Sequence, residues 1–216
     1  SGIVHAGHRV VNTRLKARFN EADWAAEQTS GVSQLFFLRD LLGKIDTDWE
    51  SVHQTLESIR SALIQRSVAV CNITLDSANW QKIRPFVEDF LSNLPQGQTS
   101  RHPWATGKLP DLEGLSMPLQ VNFVGKGGNL YELGYAFHGS ALVIVPYLRG
   151  SYLWEKVRVQ GGAYGGFAVF DQQSGNFNFL SYRDPNLDQT LQAFDQTADY
   201  LRKLELSESE LTKAII

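Results

Sequence analysis

Over the first 44 residues the apolar positions recur at helical spacing. Val10, Val11, Leu15 and Phe19 form one run, and Val32, Leu35, Phe36, Leu38 and Leu42 a second. A period near 3.6 puts such a set on one face of a helix, so residues 1 to about 44 are predicted helical. Thr47-Asp48-Trp49-Glu50 has capping-box spacing, a hydroxyl answered three residues later by a carboxylate. It opens a helix with Trp49, Val52, Leu56, Ile59 and Leu63 on its apolar stripe. The period then shortens to two. Across 67–75, Val68, Val70, Ile73 and Leu75 alternate with small or polar residues, which predicts a strand, and Cys71 within it is expected to be a buried structural thiol. Asp76 or Ser77 caps a further helix burying Ile83, Val87, Phe90 and Leu94, with Pro85 kinking it or lying near its start.

The texture changes at 95–114, where Pro, Gly and polar residues crowd together as a linker. Beyond it, M-P-L-Q-V-N-F-V (117–124) alternates as a strand and G-K-G-G-N (125–129) reads as a turn. Residues 131–137 are expected to be extended, and 140–157 a buried helix that must accommodate Pro146 and Gly150. G-G-F-A-V-F-D and G-N-F-N-F-L-S-Y flank Gln172-Gln173-Ser174 and predict a hairpin. Asp184-Pro185 reads as an N-cap followed by Pro at the first helical position, leading a helix with Leu187, Leu191, Phe194, Ala198 and Leu201 on one face. Ser207 to Glu210 is another capping box. The chain stops on Ile215-Ile216 soon after it and lacks an initiator Met, so it reads as a piece of a longer protein. Helices and strands mix without strict alternation, which makes α+β the fold class.

Composition narrows the function. The 216 residues suffice for one large or two small domains. With 20 Lys and Arg against 23 Asp and Glu, the net charge is −3, which argues against a nucleic-acid platform. No run approaches the roughly 20 apolar residues of a membrane span, and the opening residues do not form a signal peptide. Neither nucleic acid nor membrane is an expected partner. One cysteine rules out an internal disulfide and fits a reducing compartment.

Most chemistry-bearing motifs can be set aside. None of the five histidines belongs to H-E-x-x-H or its inverse. His5 and His8 could share a helical face, but zinc needs a further ligand, and a frayed N-terminal turn is the simpler reading. His53 is an ordinary helix position. Lys126 lacks the phosphate-loop frame, and G-G-A-Y-G-G lacks dinucleotide spacing. Asn72-Ile73-Thr74 matches a glycosylation acceptor inside the predicted strand. What remains is L-W-E-K-V-R-V-Q-G-G-A-Y-G-G (153–166), with Arg158 and Tyr164 separated by two glycines. Arg158 can simply end a helix, where a cation suits the dipole, while Tyr164 packs at a strand start. Alternatively, Gly161 and Gly162 let the backbone come close to a ligand, and a guanidinium and a phenol face the same point as donors suited to an oxyanion. The residues alone leave both readings open.

That stretch, with S-Y-R-D-P-N-L-D-Q-T-L (181–191), L-T-K-A-I-I (211–216), A-G-H (6–8) and A-E-Q-T-S-G-V-S-Q-L-F-F-L-R-D-L (26–41), resembles the pitrilysin/insulinase family of zinc metallopeptidases. The resemblance implies four similar α+β domains, in two halves that close around a peptide chamber. The zinc motif lies in the N-terminal half, and the C-terminal half contributes an arginine and a tyrosine that match Arg158 and Tyr164. This chain has no zinc motif. It is therefore expected to be part of the C-terminal half: residues 1–94 the end of one domain, 95–115 a linker, and 116–216 the start of the next. Zinc would belong to the whole protein and to no residue here, and the segment alone would be inactive. The implied partners are unfolded peptides, targeting peptides among them, and the N-terminal half of the same chain. The implied location is the cytoplasm in a bacterium, or the mitochondrial matrix or chloroplast stroma in a eukaryote. The alternative is a non-catalytic peptide-binding or scaffold protein of the same fold, which would have no reason to keep Arg158 and Tyr164.

Overall fold

The computed structural model describes residues 2–97 and 105–215. They fall into two units. One comprises the residues up to Phe36 together with those from Thr106 onward, and the other runs from Phe37 to Ala105. Both contain helices and the first contains a sheet, so the α+β expectation holds.

In the first unit, α1 (Gly2–Lys16) and α2 (Glu21–Ser30) follow the predicted periodicity. Asn20 starts α2, its Oδ1 accepting from the N–H groups of Ala22 and Asp23 at 2.9 and 3.1 Å, as an N-cap must to satisfy the first free donors. α3 (Val32–Thr47) begins here and runs on into the second unit. The sheet is antiparallel, with β1 (Gly125–Asn129), β2 (Gly165–Phe170) and β3 (Asn176–Tyr182) in the order β1-β3-β2. β2 and β3 are the predicted hairpin, in register Phe167↔Leu180. Asp171 shapes its turn by accepting from the N–H groups of Gln173 and Ser174.

The second unit holds α4 (Trp49–Leu63) and α5 (Ser77–Asn93), with Pro85 inside α5. Asp48, not Thr47, caps α4, because α3 runs on through Thr47. Asp76 caps α5. Residues 69–76 form no strand: among the described residues of this unit no strand exists for them to pair with, and alternation alone makes no ladder. Val70 and Cys71 are exposed as a result, so the thiol is not a buried one. Of the predicted linker, 98–104 lie outside the described residues.

Back in the first unit, α6 (Ser140–Gly150) leads to a π-helix over Trp154–Gln160, so the predicted 140–157 helix is two helices. α7 (Asp188–Asp195), α8 (Thr197–Arg202) and α9 (Glu208–Ile215) complete the unit. The Ser207–Glu210 box forms as read: the Ser207 N–H and hydroxyl both donate to Glu210 Oε2, at 2.9 and 2.7 Å. Leu148, Leu153, Val157, Ala168 and Phe194 are buried between sheet and helices. Each such Leu, Val or Phe contributes about 1.5–3 kcal/mol, and together they hold the π-helix against β2. A polar node accompanies this core. The Glu27 carboxylate is fully buried and paired with Arg14 at 3.0 Å, and Arg14 also forks onto Glu113, both bonds 2.8 Å.

Three readings of the first unit need correction. The strand falls on 125–129, where a turn was expected, and 117–124 is irregular apart from the bridge Asn122↔Asp184. Gly127 admits β3, since a Cβ there would collide with Asn178 Oδ1, and Gly125 admits α1, since a Cβ there would collide with Val11. Residues 131–137 are turn and coil. Asp184 does not cap α7. It is buried and accepts from the Asn186 N–H at 2.9 Å and the Thr190 hydroxyl at 2.7 Å, and the helix starts at Asp188.

Candidate active-site pocket

A cavity of about 370 Å³ in the first unit is walled by α1, α6, the π-helix and the β2–β3 hairpin. A wider hollow of about 680 Å³ beside Tyr152 and Tyr200 also exists, but it is lined by neither arginine nor histidine.

The π-helix sets the first wall. Gln160 Nε2 donates to Glu155 Oε1 at 2.9 Å across five residues, the spacing that a π-turn brings together. In that register the Arg158 guanidinium carbon lies 4.0 Å from the Trp154 ring centroid, a cation–π contact. The chain then reverses. The Gly162 N–H donates to the Arg158 carbonyl at 2.9 Å and the Ala163 N–H to the Val157 carbonyl at 3.1 Å. Gly162 has φ +77°, a region that costs any side-chain-bearing residue, and the buried Gly161 carbonyl accepts from Asn186 Nδ2. The Tyr164 N–H is shared between the carbonyls of Tyr182 and Arg183, at 3.0 and 3.3 Å. Its backbone is fixed while its side chain stays 64% exposed.

These turns bring Arg158 and Tyr164 together, with the guanidinium carbon 5.6 Å from the phenol centroid. Both line the cavity. Among the described residues, neither the guanidinium nor the phenol oxygen has a hydrogen bond or an ion pair. Gly161 and Gly162 meet a demand of the backbone: they make the reversal that sets this distance.

The second wall comes from residues that sequence reasoning did not assign to the site. Tyr164 meets Tyr182 edge-on at 5.8 Å, and Tyr182 meets His8 at 5.0 Å. His8 lies 5.7 Å from Phe167, and the Arg149 guanidinium carbon stands 4.9 Å over Phe167. Burial, and secondarily the charge of Arg9, holds the His8 pKa below its ordinary value, so the ring is neutral at pH 7. Its Nδ1 is buried without a partner. His5 also lines the cavity, its Nδ1 3.4 Å from Arg183 Nη2. Only Trp154 could have been read from the sequence, since it stands one turn before Arg158. The others arrive from distant elements.

Among the described residues no carboxylate lines the cavity. Glu155 is occupied by Gln160, and Asp184 by Thr190 and Asn186. Among the described residues, too, no group of three or more His, Cys, Asp or Glu is placed to hold a metal, and the two guanidiniums would repel one. The pocket suits an acceptor instead, a carbonyl oxygen or an anion that several donors can reach.

Residues 112–216 match the family model described as PreP C-terminal domain, and residues 1–41 match that of the region associated with subfamily C of the M16 peptidases. The chain is 44% identical over 212 residues to presequence protease 1, chloroplastic/mitochondrial, of Arabidopsis thaliana, covering 98% of this chain and 20% of that protein. It is 28% identical to protein HypA of Clostridium perfringens over 214 residues, 99% of this chain and 22% of the relative. It is also 28% identical to the mitochondrial presequence protease of Yarrowia lipolytica over 220 residues, again 99% and 22%. The chain thus spans about a fifth of the length of the curated relatives it matches. With a family model matched at each end and the likeness running along nearly its whole length, the chain belongs to the presequence-protease family of M16 peptidases, as a segment of a larger protein.

Proposed function

We propose that this segment serves a zinc metalloendopeptidase that degrades short unfolded peptides, targeting peptides among them, inside a closed chamber. Its part is to hold the scissile carbonyl through Arg158 and Tyr164. The observation that carries this reading is a guanidinium and a phenol, both without a hydrogen bond or ion pair among the described residues, side by side over one cavity. Each donates, and neither carries negative charge at neutral pH. Hydrogen bonds to an oxygen strengthen as it gains charge, so the pair favours the tetrahedral oxyanion over the carbonyl. Once the chamber closes over the exposed Trp154 and Tyr164, the aromatic walls would exclude water and make each donor count for more. Gly162 opens its bare backbone to the peptide, and Gly161 fixes the reversal behind it.

On this reading the zinc is held by residues outside the segment, in the N-terminal half of the same protein. The segment divides into the end of one pitrilysin-type domain (1–94), a linker (95–115) and the start of the next. A eukaryotic parent works in the mitochondrial matrix or chloroplast stroma, in keeping with plant and yeast relatives named as chloroplastic or mitochondrial, and a bacterial one in the cytoplasm.

In the full-length protein, Arg158→Ala or Tyr164→Phe should lower kcat about 100- to 1,000-fold with bound zinc unchanged. Unaltered turnover would overturn the assignment and reduce the pair to structural residues, whereas no turnover by the unaltered full-length protein would favour the scaffold. The isolated segment should carry no stoichiometric zinc and cleave no fluorogenic peptide, and hydrolysis by it would place the chemistry here instead.

A further inference from the structure

The cavity holds a second guanidinium that the proposed carbonyl-holding pair does not use. Arg149, on the last turn of α6, has no ion pair or hydrogen bond among the described residues. Elsewhere in the chain, Arg14, Arg18, Arg60, Arg84 and Arg202 all have carboxylate partners. Arg149 and Arg158, like Arg9, Arg39, Arg66 and Arg183, have none among the described residues, and of these six only Arg149 and Arg158 line the hollow. Between them runs an unbroken row of four rings: Tyr164, Tyr182, His8 and Phe167. One guanidinium caps each end of the row. The neutral His8 in the middle adds no charge of its own.

We propose that Arg149 is a substrate-binding residue that takes a carboxylate of the bound peptide, through a subsite with Phe167 as its floor. The proposal rests on the reading that Arg158 holds the scissile carbonyl. Three features point to a carboxylate. The planar fork of arginine matches its two oxygens. The cation–π contact with Phe167, 4.9 Å from guanidinium carbon to ring centroid, holds the head group without consuming a donor. With no acid among the described lining residues to neutralise the two cations, the field there is positive although the chain carries a net charge of −3. The carboxylate has two possible sources in a peptide, the C-terminus and an acidic side chain.

The test uses the full-length protein and one fluorogenic peptide in four versions: free or amidated C-terminus, and Glu or Gln at an internal position near the cleavage site. Arg149→Gln should raise KM about 10- to 100-fold for the carboxylate version that the subsite engages. Its kcat should be unchanged, and the neutral counterpart should be unaffected. Selectivity between free and amidated peptides assigns the C-terminus, and selectivity between Glu and Gln assigns the side chain. Arg149→Lys, which keeps the charge and loses the fork, should recover part of the loss. If Arg149→Gln shifts all four peptides equally, or none, the subsite is overturned. A fall in kcat for Arg158→Ala in the same assay would then leave the carbonyl-holding role standing.

Discussion

Arg14→Met and Glu27→Gln remove opposite halves of one buried pair, and the structure makes their costs unequal. Glu27 is 0% exposed and is held by Arg14 at 3.0 Å, the Ser33 N–H at 3.0 Å and Gln28 Nε2 at 3.3 Å. Burial pushes its pKa up, but the Ser33 bonds and the Arg14 charge outweigh burial and hold it below the usual carboxylate range. Arg14→Met leaves a buried anion that keeps its Ser33 and Gln28 donors but has lost its countercharge, a loss of about 3–5 kcal/mol. Glu27→Gln keeps an oxygen at the Oε1 position for Ser33 and Arg14, removes the charge that strengthened both bonds and turns an NH2 group toward Gln28 Nε2; Arg14 stays forked onto Glu113, so the loss is smaller, about 1.5–3 kcal/mol. Their pH dependence separates them further. In the wild type a depressed pKa stabilises fully above the unfolded value, near 4.3, and is lost as pH falls through the folded one. The Glu27→Gln deficit is therefore flat from about pH 7 to 5. In Arg14→Met only burial and the residual donors remain, the folded pKa moves up, and the deficit shrinks as the carboxylate takes a proton on acidification. Native-state hydrogen exchange of the α1 and α2 amides in the full-length protein reads both deficits. Equal deficits with the same pH profile would show that the pair is not the electrostatic node described.

Two further substitutions probe the scaffold of the pocket. Gly162→Ala forces a side chain into φ +77°, so it should cost about 1–2 kcal/mol and lower kcat by displacing Tyr164 from Arg158; urea unfolding and peptide turnover check the two halves separately, and an unchanged protein would mean the turn is not strained. Thr190→Val removes the hydroxyl 2.7 Å from the buried Asp184 and should cost about 1–3 kcal/mol, read as a lower urea midpoint at unchanged slope.

The helices and the hairpin were legible because their signals are local: a 3.6-residue period, a cap, a turn flanked by alternating strands. The Ser207–Glu210 box formed with the partners its spacing named. The sheet's third strand was misplaced because pairing is not local. M-P-L-Q-V-N-F-V has the better alternation, but β3 presents Asn178, and only a glycine can lie opposite it. Residues 69–76 have strand-like composition and, among the described residues of their unit, no strand to join, so Cys71 came out exposed. In the pocket, Arg158 and Tyr164 stood out since one short motif carries both. His8, Arg149 and Phe167 come from α1, α6 and β2, and no periodicity connects them.

The first unit is discontinuous in sequence, and the order of synthesis makes that matter. Asn12 on α1 accepts a hydrogen bond from Asn178 on β3, 166 residues later. At roughly 5–20 residues per second, α1 leaves the ribosome on the order of 10–30 s before the strand it rests on. Val11 and Leu15, whose side chains approach Gly125 in the finished fold, wait a shorter time for that residue, roughly 5–25 s at the same rate, and a nascent chain stalled before it would display them to any chaperone within reach.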